Sequence, residues 1–131
     1  MHWLLNWHGI EMVNIYLRPY KDQIVQMLDQ FVDEDRCLQW YVNRSAINEQ
    51  INYFIKDSGI IIHDKIDDQI FDFFFSYIFH RKSDNYIHND DFKEWSKQNA
   101  LGIWGSWSDG IFVCYGFQNE EDAVAFKLYW N

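Results

Sequence analysis

Five histidines and two cysteines are the side chains best suited to acid–base, nucleophilic or metal chemistry, and two of the histidines stand beside acids. His63 precedes Asp64, and His88 opens the run His88-Asn89-Asp90-Asp91. A hydrolytic metal centre needs imidazoles and carboxylates that converge on an ion and leave one coordination position open. His63, His88, Asp90 and Asp91 are the ligands such a centre would use if the protein were a small metal-dependent hydrolase or nuclease. Their spacing matches no metal-binding motif, and Asp64, Asp90 and Asp91 are equally suited to start helices. Cys37 and Cys114 lack metal-ligand spacing and the basic flank that lowers a thiol pKa. Gly102-Ile103-Trp104-Gly105 lacks the lysine and the helix-opening context of a phosphate-cradling loop. No catalytic residue and no cofactor is expected, so a binding protein is the first expectation and the metal enzyme the alternative.

The acids are the stronger signal. Twenty Asp and Glu stand against eleven Lys and Arg, a formal charge of −9 in 131 residues. Phosphate-backbone binding needs clustered Lys and Arg, so nucleic acid is disfavoured as a partner. Asp33, Glu34 and Asp35 form one knot, and residues 57–72 carry five aspartates, including Asp64, Asp67 and Asp68, against Lys65. Such runs are often plain solvated faces. Their functional reading is a negative surface that steers the protein toward a basic partner. Aromatics make up 20% of the chain, which supplies a core and argues against disorder. Trp104 and Trp107 sit near the turn residues Ser108-Asp109-Gly110 and are read either as core or as exposed anchors of an interface. Taken with Asp109 and the acids above, they make the candidate binding surface.

These residues must be positioned by helices and a small sheet. Residues 12–18 read as a first strand ended by Pro19, with residues 1–11 as an extra strand or arm. Ile24, Leu28, Phe31 and Val32 have one-face helical spacing, and the 33–35 acids close that helix. Residues 37–43 read as a strand, followed by a helix capped by Ser45 and ended near Gly59, then a short buried run at 60–62. Asp64 caps the most apolar helix, extended as far as Phe79, with His80, Arg81 and Lys82 at its solvated end and a loop to His88. Asp90 or Asp91 starts the next helix. Residues 103–107 and 111–117 form a hairpin, with Cys114 a buried small hydrophobe, and Asn119 caps the last helix. The class is α+β: one compact domain over 1–131, about five helices against a small, mostly antiparallel sheet. No run suits a membrane span, since residues 70–79 are too few and contain Asp72. The N-terminus lacks the basic start and small residues of a signal peptide, so a cytoplasmic location is expected.

At the C-terminus, a strand ending in Phe117 leads to the acidic start Glu120-Glu121, then Asp122-Ala123, Phe126-Lys127-Leu128 and Trp130. This stretch resembles the closing strand and helix of small tailed-phage accessory proteins. It covers about twenty of the 131 residues and is a packing pattern without a catalytic residue. Usage skewed toward Ile, Asn, Lys, Phe and Tyr, all read from AT-rich codons, agrees with such a source. The same stretch looks like the third strand and second helix of an RNA-recognition domain, but the basic, aromatic strand motif of that family is missing. The resemblance implies a viral accessory protein; together with the acid excess and the absent catalytic motif, it leads to the expectation of a non-enzymatic phage protein, in the cytoplasm of a host cell, that binds and inhibits a host protein with a basic surface, such as a defence nuclease. A self-associating structural protein is the third alternative.

Overall fold

The computed structural model describes residues 4–5, 17–56, 64–108 and 110–130, with residues 4, 5 and 64–68 described by backbone alone. Pro19 lies at the start of a short 3-10 turn, Arg18–Tyr20, where its fixed φ and missing N–H cost nothing. Helix α1, Lys21–Asp29, follows and buries Ile24, Met27 and Leu28 on one face. Helix α2 spans Trp40–Ile55 and buries Trp40, Ile47, Ile51 and Ile55, again one helical stripe. Helix α3 is Asp64–Phe74. Strand β2, Tyr77–Lys82, is followed by helix α4, Asn89–Asn99. The hairpin strands β3, Trp104–Ser108, and β4, Phe112–Phe117, lead to helix α5, Glu120–Tyr129. With the two-residue strand β1, Leu4–Leu5, they form a sheet of order β1-β2-β4-β3 in which every neighbour is antiparallel.

Alternation along the strands divides the core in two. Ile78, Trp107 and Cys114 point to one face and pack with Ile24, Ile47, Ile51, Phe71 and Phe75 beneath α1, α2 and α3. Phe79, Trp104, Tyr115 and Phe117 point to the other and pack with Phe92, Trp95 and Phe126 of α4 and α5. The sheet is therefore covered on both faces, and the α+β class expected from the sequence is the one observed.

Three expected elements differ. Residues 37–43 are not a strand: only Cys37 and Leu38 make bridges, to Trp104 and Val32, and α2 begins at Trp40, five residues ahead of Ser45. The helical period of Trp40, Ile47, Ile51 and Ile55 against the core outweighs the β-propensity of Trp-Tyr-Val. The apolar helix stops at Phe74, whose carbonyl accepts from Gln118 Nε2 at 2.9 Å, and residues 77–82 are a central strand. His80, Arg81 and Lys82 are thus not a helix end; Arg81 is buried and donates to Trp130 O at 3.2 Å. Finally, α1 ends at Asp29, ahead of Phe31 and Val32, which pack against the core from the following loop. Residues 12–16 of the expected first strand, residues 57–63 and most of the N-terminal arm lie outside the described residues, although Leu4–Leu5 does pair with β2.

Candidate functional site

The 33–35 knot proves to be a staple more than a surface. Asp33 Oδ1 accepts from the N–H groups of Asp35 and Cys37 at 2.8 and 3.0 Å, and Oδ2 accepts from Gln39 Nε2 at 2.7 Å. Asp35 lies 3.7 Å from Lys97, and its carbonyl accepts from Trp104 Nε1 at 2.9 Å. Arg36, at a positive φ of 66°, donates to Ala100 O at 2.8 Å. The Asp33 carboxylate is spent on joining the end of α1 to the start of α2, whereas the Asp35 carboxylate stays at the surface beside Lys97 of α4 and Glu34 is exposed.

Trp104 and Trp107 are not exposed anchors. They are 1% and 3% exposed on opposite faces of β3, one in each half of the core. Trp104 meets Phe92 edge-on at 5.6 Å, while Trp107 stacks on Phe71 at 4.0 Å. Two positions three apart in a strand face opposite ways, so they could not have formed one hot spot. Asp109 and His63 lie outside the described residues, as do the side chains of Asp64, Asp67 and Asp68.

His88 caps α4, its Nδ1 accepting from Asp90 N–H at 3.3 Å. Asp90 and Asp91 fill the exposed first turn of that helix, where its dipole favours negative charge. Among the described residues, no three His, Cys, Asp or Glu side chains converge as metal ligands. The structure does bring together one pair that sequence spacing hid: Cys114 Sγ lies 3.3 Å from His80 Nδ1 across β4 and β2. Cys114 has no solvent exposure while His80 is half-buried, so the thiol of the pair is not presented to a substrate. Cys37 is buried too, and burial, with the Asp33 carboxylate adding to it, pushes its thiol up to about 12. Neither thiol is presented as a nucleophile.

Among the described residues, two surfaces have the shape to hold a partner. On the outer face of α5, Glu120, Glu121, Val124 and Leu128 lie side by side, with Val124 52% and Leu128 76% exposed. Positions 120, 124 and 128 are successive helical turns, so the two aliphatic side chains form a strip with acids at its N-terminal end. The inner face of the same helix carries Asp122, Ala123 and Phe126 into the core, which fixes the strip outward. The sequence reading placed α5 and its Asn119 cap correctly, yet its site residues did not include this face. The second surface is a groove of about 70 Å³ at the edge of β3, lined by Cys37, Trp40, Phe92, Lys93, Trp104 and Ser106 among others.

Comparison with protein-family models, curated proteins and solved structures returns no match. Among the described residues, no helix is long and apolar enough to cross a membrane.

Proposed function

We propose that the protein is a non-enzymatic accessory protein of the phage type that its C-terminal segment resembles, and that it binds and inhibits a host protein through the outer face of α5. The observation that carries this reading is the exposed Val124–Leu128 strip with Glu120 and Glu121 beside it. Exposed aliphatic side chains at successive turns suit a groove on a partner, the usual mode of helix recognition. The adjoining acids, together with the −9 net charge, favour a partner whose groove is rimmed by Lys or Arg. With Trp104 and Trp107 buried in the core, the reading rests on the last helix and not on the hairpin.

Capture from bacterial lysate by tagged protein tests the reading. A reproducible basic binder is expected, retained by wild type and released by the double variant Glu121→Lys, Leu128→Asp. No reproducible binder in lysates of suitable hosts, or a binder that the variant retains equally, overturns it.

A further inference from the structure

The outer face of α5 carries a third charge, Lys127, which is exposed beside the Val124–Leu128 strip. Glu120 and Lys127 are seven residues apart, about two helical turns, so they stand on the same flank of the strip. Glu121, Ala125 and Tyr129 follow one another at i+4 spacing along the other flank. That flank ends on a ring pair, Tyr129 stacked on Trp95 of α4 at 5.7 Å. The face is thus acidic at its N-terminal end, apolar through its middle, and basic on one side of its C-terminal end.

Nothing within the helix cancels this polarity. The residues one turn before Lys127 are Ala123 and Val124, which carry no charge to pair with it. Among the described residues, Glu120, Glu121 and Lys127 make no ion pair. At 1.5 Å per residue, Glu120 and Lys127 are about 10 Å apart along the axis. That exceeds the screening length of about 8 Å at physiological salt, so each charge presents its own sign to an approaching surface. The order of the charges is also fixed in space. Asp122 ties the start of α5 to the Leu101 and Gly102 N–H groups, and Arg81 holds its end by donating to Trp130 O.

Resting on the reading that α5 carries the interface, we infer that the partner protein's groove is bipolar. It is basic where it receives Glu120 and Glu121, and it carries a carboxylate where it receives Lys127. A groove basic along its whole length would meet Lys127 with a like charge. The acids therefore supply attraction, while Lys127 sets the direction in which α5 lies and rejects uniformly basic grooves.

The probe is the host protein that wild type captures and the Glu121→Lys, Leu128→Asp variant releases, identified by mass spectrometry and purified. Its dissociation constant is measured against the full chain at low and high salt. Lys127→Gln should weaken binding about twofold to fivefold, the range of an exposed ion pair. Lys127→Glu should weaken it further, about fivefold to tenfold, and both effects should shrink as salt is raised. Both variants should unfold at the temperature of the wild type. Reversing the facing carboxylate of the probe to Lys should restore its binding to Lys127→Glu. Unchanged or tighter binding by Lys127→Glu overturns the bipolar groove and leaves the α5 interface standing. If no captured protein is released by the double variant, the interface falls and the inference falls with it. Self-association of the free chain that Leu128→Asp removes would give the face to a second copy and overturn the inference as well.

Discussion

Asp122 and Gly102 are joined by a half-buried hydrogen bond, the carboxylate Oδ2 accepting from the Gly102 N–H at 2.8 Å while Oδ1 takes the Leu101 N–H at 2.9 Å. Asp122 is 2% exposed and sits in the first turn of α5, where the helix dipole favours its charge. It ties the start of α5 to the turn leaving α4, which holds the outer helix pair in place against the sheet. Asp122→Asn keeps the shape but presents an amide NH2 to one of two backbone donors. The variant should lose about 1 kcal/mol or more, because the buried amide at position 122 then faces a backbone donor in place of accepting from it. Urea denaturation measures it, and a variant as stable as the parent would show that the two N–H groups find other acceptors.

Core placement of the hairpin gives a second test. Trp107 stacks on Phe71 and lies 5.5 Å from Phe75, and a Cβ on Gly116 would come within 2.6 Å of the Phe75 ring. Trp107→Ala should cost about 3–5 kcal/mol, as large-to-small changes of buried aromatics do. Gly116→Ala should cost about 1–3 kcal/mol through overpacking. An exposed anchor would behave in the opposite way, losing binding with unchanged stability.

Where local chemistry decides a structure, the sequence was readable. Strands β3 and β4 do pair as an antiparallel hairpin, and Asn119 does cap α5, its Oδ1 accepting from Glu121 N–H at 2.9 Å. Residues 70–79 misled because an almost unbroken apolar run fits both the helical and the strand period. The choice there is made at a distance, by Gln118 on the Phe74 carbonyl and by pairing with β4. Trp40 starts a helix for the same kind of reason, since Asp33 and the edge of β3 hold residues 37 and 38 in place. The candidate site suffered most. A charge count cannot tell Asp33, whose oxygens are taken by backbone and Gln39, from Glu121, which faces solvent. Nor can it say which side of an amphipathic helix is left uncovered when both sides carry apolar residues, as α5 does with Val124 and Leu128 against Ala123 and Phe126.

The outer strip of α5 should therefore be separable from the fold. Leu128→Asp and Val124→Asp replace exposed side chains and should change stability by no more than about 0.5 kcal/mol. Each should weaken partner capture about tenfold or more if the strip sits in a desolvated groove, where anchors cost at least about 2 kcal/mol. The contribution of Glu120 and Glu121 is exposed and screened, so capture should weaken as salt is raised. Salt-independent capture would place the partner elsewhere on the molecule.

Alkaline pH provides the last prediction, because two buried acids hold their protons. Burial, reinforced by Asp33, raises the Cys37 thiol from 9.0 to about 12, against the opposing pull of Lys93. Burial likewise raises Tyr115 from 10.0 to about 12, and its hydroxyl donates to Ile87 O at 3.2 Å and accepts from Ile87 N–H at 2.9 Å. Above pH 9.0 the unfolded chain sheds the Cys37 proton while the folded chain keeps it. The folded state then binds more protons, so stability falls with rising pH. Below that point both states are protonated and the stabilisation is fully present. The slope contributed by one such group is at most about 1.4 kcal/mol per pH unit. Urea midpoints of the wild type should thus fall from pH 8 to pH 10, and those of Cys37→Ala should fall less over the same interval. Equal losses in the two proteins would mean that Cys37 is not buried as a neutral thiol.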